Sequence, residues 1–192
     1  MRSSLACSRS SRDHRPGLNS QKGGDPERVR RAKVRIAARL RDMPRHFRAL
    51  NAARAQFGDD FDRDEFAAAA RSDDPDRLNA VKAVERGLDL LDNYLVELVV
   101  DGLQLAGLRD AGEALNGPRD LRRLRDAGVL AQGNAERLIA LVRIRARMVH
   151  EYAELDPDDV HRAVEILVAE LPGFERAYIA WVKAGFPASA GD

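Results

Sequence analysis

Apolar residues recur every three or four positions along four long segments of the chain. In residues 26–57 they stand at Val29, Ala32, Ile36, Leu40, Met43, Phe47 and Leu50. In residues 75–103 the same spacing links Leu78, Val81, Val84, Leu88, Leu91, Leu95 and Leu98. This spacing gathers side chains on one face of an α-helix, so both segments are predicted to be long amphipathic helices. Further apolar residues widen the face of the second helix, which we expect to be central in the fold.

The second half of the chain repeats the helical period twice. One helix is predicted over 134–151, with inward-facing Leu138, Leu141, Val142 and Val149. Another begins at 157 and carries Val160, Val164, Leu167, Leu171, Phe174, Tyr178 and Trp181. Shorter helices are predicted at 62–71 and 119–127, and a glycine-containing loop at 104–117. Since no useful stretch alternates with period two, the predicted fold is all-α: an up-down helical bundle of four main helices plus short ones.

Proline and glycine mark several predicted helix boundaries. An Asp-Pro pair precedes three of the long helices, with the aspartates at Asp25, Asp74 and Asp156. Each aspartate is a predicted N-cap, because proline is well tolerated at the first helical position. Gly128 is the predicted C-cap of the 119–127 helix. Pro44 and Pro172 fall inside predicted helices, where we expect a kink or a brief break.

Charge is unevenly distributed along the 192 residues, although the net charge is only +1. Residues 1–24 hold five basic residues and one acid, are rich in Ser and Arg, and lack apolar periodicity. This composition predicts a disordered basic extension, followed by one helical domain at 25–184 and a frayed C-terminus at 185–192. The length suits a single domain with a sizeable core, and the net charge alone does not require nucleic acid or an anionic membrane as a partner.

The first predicted long helix is strongly basic, although the net charge of the chain is close to zero. Between Arg28 and Phe57 there are ten Arg or Lys residues and one acid, Asp42. Two interpretations stay open. The arginines can be solvated or pair with acids of other helices, or they can follow an RNA backbone electrostatically.

Several classes of protein and site are not indicated. The one cysteine, Cys7, lies in the basic extension, so neither a disulfide framework nor a cysteine metal site is predicted. No apolar run is long enough for a transmembrane helix, the N-terminus lacks the apolar core of a secretory signal, and we expect a cytoplasmic protein. No residues show metal-ligand spacing, a glycine-rich phosphate loop or a serine nucleophile elbow, so no cofactor or metal is expected.

The stretch from Arg145 to Tyr152 carries the strongest chemical signal, as Arg-x4-His-x-Tyr. Five residues of an ideal α-helix turn by about 500°, which separates Arg145 and His150 by about 140° around the axis. Their side chains can therefore converge only if His150 lies in the last turn, where the chain begins to leave the helix. The Asp156-Pro157 helix start shortly downstream favours such an ending.

These residue types fit RNA cleavage without a metal. A neutral histidine can take the proton from the ribose 2′-hydroxyl, and a group of the same kind can protonate the leaving 5′-oxygen. An arginine can stabilise the charge gathering on the phosphoryl oxygens. The ordinary interpretation also stays open: Arg145 pairs with an acid, His150 caps the helix and Tyr152 packs. His46 and His161 are predicted to be surface residues and offer no competing site.

The order of motifs resembles the HepT-like toxins of the HEPN superfamily of helical ribonucleases. Arg145–Tyr152 is similar to that family's Arg-x4-His-x-Tyr signature. Ala127–Leu130 and Ala135–Leu138 precede it in the family's order, and Leu88–Asn93 and the helix closing with Trp181 also agree. The similarity covers roughly residues 26–183.

The resemblance implies a HEPN helical bundle, usually a homodimer with paired motifs at a shared cleft, that acts on RNA. Arg145 and His150 match the family's catalytic pair. Tyr152 matches the tyrosine to which a partner nucleotidyltransferase antitoxin, MntA-like, attaches AMP. Arg147 is a weaker candidate for contact with the RNA backbone. The family commonly has Asn or another polar residue after the arginine, where this chain has Ala146. The alternative is therefore a HEPN interaction module that binds its partner or RNA without cleavage.

Overall fold

A computed structural model describes residues 25–150 and 156–186. The predicted extension at 1–24, residues 151–155 and residues 187–192 lie outside the described part. Within it the chain forms six α-helices and one 3₁₀ turn and no strand, which confirms the all-α prediction and is consistent with a HEPN-type bundle. The elements are α1 (Pro26–Arg54), the 3₁₀ turn (Ala55–Phe57), α2 (Arg63–Ala70), α3 (Pro75–Leu105), α4 (Gly117–Asp126), α5 (Gln132–His150) and α6 (Pro157–Lys183).

The three Asp-Pro pairs begin helices as predicted. The carboxylates of Asp25, Asp74 and Asp156 each accept a hydrogen bond from the backbone N–H two residues later, at 3.1, 2.9 and 3.0 Å. Each cap satisfies one of the N–H groups that a helix leaves unpaired in its first turn. The caps therefore fix where α1, α3 and α6 start.

The two internal prolines do not interrupt their helices. α1 runs through Pro44 and α6 runs through Pro172 without a break. A proline removes one backbone hydrogen bond. Buried side chains on both sides of each proline outweigh that loss, since Met43, Leu50 and Phe174 are at most 1% exposed.

Glycines with positive φ follow three of the α-helices, at Gly107, Gly128 and Gly185. Gly128, with φ +72°, stands one residue after Ala127, the observed C-cap of α4, so the predicted C-cap is displaced by one residue. Gly185 follows α6 with φ +80°, and the N–H of Phe186 donates to the carbonyl of Trp181 at 3.1 Å. Gly185 and Phe186, the first two residues of the predicted frayed C-terminus, thus cap α6.

α3 is the central helix, as its wide apolar face predicted. It packs against α1, α2, α4 and α6. Six of its core side chains are at most 1% exposed: Val84, Leu88, Leu91, Leu95, Leu98 and Leu103. Burying each such side chain contributes roughly 1.5–3 kcal/mol, so this helix organises the core. Among the described residues, no helix is long and apolar enough to cross a membrane.

Arginines of α1 form ion pairs with acidic residues of other helices. This favours the interpretation that the basic face of α1 pairs with acids over the interpretation that it follows an RNA backbone. Arg35 Nε and Arg39 Nη1 each lie 3.0 Å from Oδ2 of Asp101, a residue of α3 that is only 5% exposed. Arg54 pairs with Glu165 of α6 at 3.0 Å. A buried carboxylate needs such charged donors, and here they dock α1 onto the core.

Candidate active site

Arg145 lies on α5, five residues before the last residue of that helix. Its Nη2 forms an ion pair with the Asp89 carboxylate on α3. The Arg145 side chain is 20% exposed and that of Asp89 is 50% exposed. The guanidinium is thus partly shielded from water and bridges two helices, a setting in which a charged hydrogen bond is stronger than at an open surface.

A buried carboxyl lies one turn further along α3. Asp92 is 4% exposed, and its Oδ1 has no hydrogen-bond partner. Burial alone raises the pKa of Asp92 to about 6. Because Asp89 and Asp92 are three residues apart, they share one face of the helix. A proton-binding group that titrates near neutral pH therefore lies close to the Arg145 ion pair.

His150 and Tyr152 are only partly covered by the structure. His150 is the last residue of α5 before the undescribed residues 151–155, so its predicted position in the final turn stays a prediction. The side chains of Val149 and His150, and all of Tyr152, lie outside the described residues. Convergence of Arg145 with His150 accordingly stays a prediction, as does the inward position of Val149.

Arg147, the weaker candidate for RNA contact, joins α5 to the first turn of α6. Its Nη2 lies 3.1 and 3.0 Å from the two carboxylate oxygens of Asp159. The arginine is 52% exposed, and an ion pair at such a surface contributes at most about 1 kcal/mol. A competing phosphate can thus reach this guanidinium. The neighbouring Ala146 is exposed on α5 and offers only a methyl group.

The opposite end of α5 is fixed to α6 by a buried glutamate. Glu170 is 5% exposed and accepts hydrogen bonds from Asn134 Nδ2, at 2.6 Å, and from Arg137 Nε. This cluster and the Arg147–Asp159 pair tie both ends of α5 to α6. Arg145 therefore projects from a helix that contacts with α6 hold in place.

The loop before α4 contains a buried ion pair that sequence reasoning missed. Arg109 Nε lies 3.2 Å from Asp120 Oδ2, and the two side chains are 3% and 1% exposed. Arg109 also donates to the backbone carbonyl of Glu113 at 2.7 Å. A loop prediction from glycine content carries no information about such a pair, because its two members come from different elements.

The other two described histidines are half-buried rather than simply exposed. His161 stacks on Phe61 at 4.6 Å, and its Nε2–H donates to the Phe61 carbonyl oxygen at 2.7 Å. The prediction of a surface position on a charged face was therefore wrong for His161. His46 contacts the Tyr94 ring edge-on at 5.6 Å. Within 25–150 and 156–186, no group of three or more His, Cys, Asp or Glu residues could hold a metal ion.

Asp89 and Asp92 are the site residues that sequence reasoning did not single out, although both stand in the Leu88–Asn93 stretch that carried part of the resemblance. A signal was present in the sequence. Asp92 interrupts the wide apolar face of α3 directly beside Leu91, at a position where the helical period requires burial. A charged residue at a core position needs a structural or functional reason.

Comparison with known proteins places this chain in a family. No match was found among curated proteins or among solved structures. A family model described as ribonuclease HepT-like matches residues 56–177, well over half of the chain. The matched span contains α2 to α5 and most of α6, and with them Arg145, Asp89 and the full Arg-x4-His-x-Tyr motif. The chain belongs to the ribonuclease HepT-like family.

Proposed function

We propose that this protein is a metal-independent endoribonuclease toxin whose HEPN domain comprises residues 25–184. The observation that carries the proposal is the position of Arg145. It lies on α5 within the family span, with its guanidinium partly shielded and paired with Asp89. A cation held in this way is suited to stabilise a phosphoryl group during cleavage.

His150 acts as the general base and acid of the proposed reaction. It takes the proton of the ribose 2′-hydroxyl as that oxygen attacks the adjacent phosphorus. The bond from phosphorus to the 5′-oxygen then breaks, and the leaving oxygen receives a proton. The products are a 2′,3′-cyclic phosphate and a 5′-hydroxyl. Arg145 donates to the non-bridging oxygens, where negative charge accumulates in the transition state.

Assembly and control follow the family resemblance. In the proposed homodimer, the two motifs lie at a shared cleft and supply an acid and a base together. The proposed partner is an MntA-like nucleotidyltransferase antitoxin in the same cytoplasm, which attaches AMP to Tyr152. The added phosphate would be attracted to the arginine that otherwise binds the RNA phosphate, and the toxin would be neutralised.

A second candidate function is a HEPN interaction module that binds its partner or RNA without cleavage. The specific observation in its favour is the surface around the motif. Ala146 presents a methyl group there, and Arg145 and Arg147 are both paired with carboxylates. A phosphate would have to compete with Asp89 and Asp159 for these cations.

Expression in bacterial cells separates the two functions. The ribonuclease proposal predicts growth arrest and shortened cellular RNA with the natural chain, and normal growth with His150→Ala. His46→Ala, which removes a half-buried histidine of α1, should arrest growth like the natural chain. Arrest by His150→Ala equal to that of the natural chain, or intact RNA during arrest, would exclude the proposed catalysis and favour the interaction module.

A further inference from the structure

A cavity of about 760 Å³ lies between α2, the first half of α3 and the start of α6. Its wall on α3 reaches Glu85, four residues before Asp89. Residues four apart lie on one face of a helix, about 6 Å apart along its axis. Asp156 and Pro157, which begin α6 shortly after α5 ends, also line the cavity. On α3 the cavity therefore ends about one helical turn from Asp89, the partner of Arg145.

The inner surface of the cavity is apolar. Phe66 of α2 and Val81 of α3 form its buried floor, being 0% and 4% exposed. Ala70 and Leu78 add partly exposed walls. A volume of this size falls in the range of small-molecule sites, and apolar surfaces of this kind stack against flat rings.

Four charged groups line the same cavity: Glu85, Asp156, Lys82 and Arg71. Glu85 is half-buried, and burial raises the pKa of its carboxyl while the charge of Lys82 opposes that shift. Lys82 and Arg71 are exposed side chains of the cavity wall. The cavity thus combines an apolar floor, a shielded carboxylate at Glu85, a second carboxylate at Asp156 that caps α6, and two cations that face solvent. This combination matches a nucleotide, in which a flat polar-edged base is joined to a phosphate.

We propose that this cavity binds one unpaired base of the RNA substrate beside the cleaved phosphodiester, with guanine preferred and Glu85 as the specificity-determining residue. The inference rests on the proposed ribonuclease function and names the substrate feature that the same site reads. Lys82 and Arg71 contact the phosphate of the bound nucleotide, while its base lies against the partly exposed Leu78 and Ala70.

The preference for guanine follows from the donors on each base. A carboxylate only accepts hydrogen bonds, through two oxygens. Guanine presents two adjacent donors, N1–H and the N2 amino group, on its Watson–Crick edge. Adenine and cytosine present an amino group beside a ring acceptor, and uracil presents one N–H between two carbonyl oxygens. Adenine, cytosine and uracil each leave one carboxylate oxygen without a donor or place an acceptor opposite it. Because the carboxylate is partly buried, binding of these three bases is disfavoured.

The site is tested by titrating the full chain with 5′-GMP, 5′-AMP, 5′-CMP and 5′-UMP. Binding is measured by calorimetry and by amide chemical shifts. We expect 5′-GMP to bind at least tenfold more tightly than 5′-UMP, with shifts at Val81, Lys82 and Glu85. Glu85→Gln should remove this preference, because an amide nitrogen would then oppose the guanine donors. Glu175→Gln, on α6 and outside the cavity wall, is the matched control and should keep it.

If the Glu85→Gln variant does not fold, the variant Lys82→Ala tests the nucleotide site instead. Lys82→Ala alters an exposed side chain and should weaken 5′-GMP several-fold more than guanosine, which lacks the phosphate. Equal binding of all four nucleotides, or shifts confined to other parts of the chain, would overturn the inference.

Cleavage of oligonucleotides that differ in one base separates this inference from the proposed function. If His150→Ala abolishes cleavage but Glu85→Gln leaves the base preference unchanged, the base site is wrong and the ribonuclease stands. If the natural chain binds 5′-GMP through Glu85 and cleaves no RNA, the ribonuclease fails and the nucleotide site stands.

Discussion

Arg145 of α5 and Asp89 of α3 form an ion pair across two helices, with the arginine four-fifths shielded from solvent. The carboxylate restricts the rotamers of a long, flexible side chain that would otherwise lose conformational entropy on binding a phosphate. Asp89 is therefore a positioning residue for the proposed phosphate-binding cation. Asp89 also hinders a phosphate from reaching the side of the Arg145 guanidinium that Asp89 occupies.

Replacement of Asp89 tests this positioning role. Asp89→Ala should lower kcat for RNA cleavage by about tenfold or more, because misplacement of a group that acts in the transition state affects kcat more than KM. Asp89→Glu should restore part of the loss, since it keeps the charge. A fall in KM with kcat unchanged would instead show that Asp89 only competes with the substrate.

Asp92 predicts a specific pH dependence of stability. Burial raises its pKa from 3.8 to about 6, so the folded state binds the proton more tightly than the unfolded state does. Below about pH 4 the carboxyl is protonated in both states and is neutral in effect. As the pH rises above about 4 and through about 6, the unfolded state loses the proton before the folded state does, so the free energy of unfolding falls, by on the order of 3 kcal/mol by pH 7.

Asp92→Asn should remove that loss, so that the variant gains stability relative to the natural chain between pH 4 and 7. Urea unfolding at a series of pH values measures the difference. Asp73→Asn, an exposed aspartate between α2 and α3, serves as the control and should show little change across the same range. A constant difference between Asp92→Asn and the natural chain over this range would contradict the proposed ionisation.

The buried pair Arg109–Asp120 should be important for stability. Asp120→Ala leaves the Arg109 guanidinium buried without its main carboxylate partner, and we expect a loss of about 3–5 kcal/mol. The double variant Arg109→Met with Asp120→Ala should recover a large part of this, because it removes the unpaired charge. Chemical denaturation of the two variants measures the effect, and equal stability of both would show that the ion pair is not the cause.

Local sequence signals predicted most of the fold. Asp25, Asp74 and Asp156 begin helices because an N-cap acts within its own first turn. The apolar period placed Leu88, Leu91 and their neighbours in the core because it depends only on spacing within one helix. The helix break considered at Pro44 did not occur, because core packing from other helices outweighed a local cost.

The features that were missed all join distant parts of the chain. Arg109 meets Asp120, His161 meets Phe61, and Arg145 meets Asp89, at separations that no helical period encodes. The motif itself was recognisable because Arg145, His150 and Tyr152 are close in sequence. The pairing of Arg145 with Asp89 was not, since it depends on how α5 lies against α3.

Modification of Tyr152 is testable without any assumption about catalysis. After co-expression with an MntA-like nucleotidyltransferase, mass spectrometry should show one added AMP on Tyr152 and loss of toxicity. Tyr152→Phe should remain unmodified and escape this neutralisation. Full neutralisation with unmodified Tyr152 would show that the partner acts by binding alone.

The central claim is that Arg145 and His150 together cleave RNA, and purified protein tests it most directly. The natural chain is incubated with single-stranded RNA and excess chelator, and the product ends are identified. We predict 2′,3′-cyclic phosphate and 5′-hydroxyl ends, with rates reduced at least a hundredfold in His150→Ala and in Arg145→Ala, and unchanged in His46→Ala. Cleavage by His150→Ala at the natural rate, or no cleavage by the natural chain, would contradict the account.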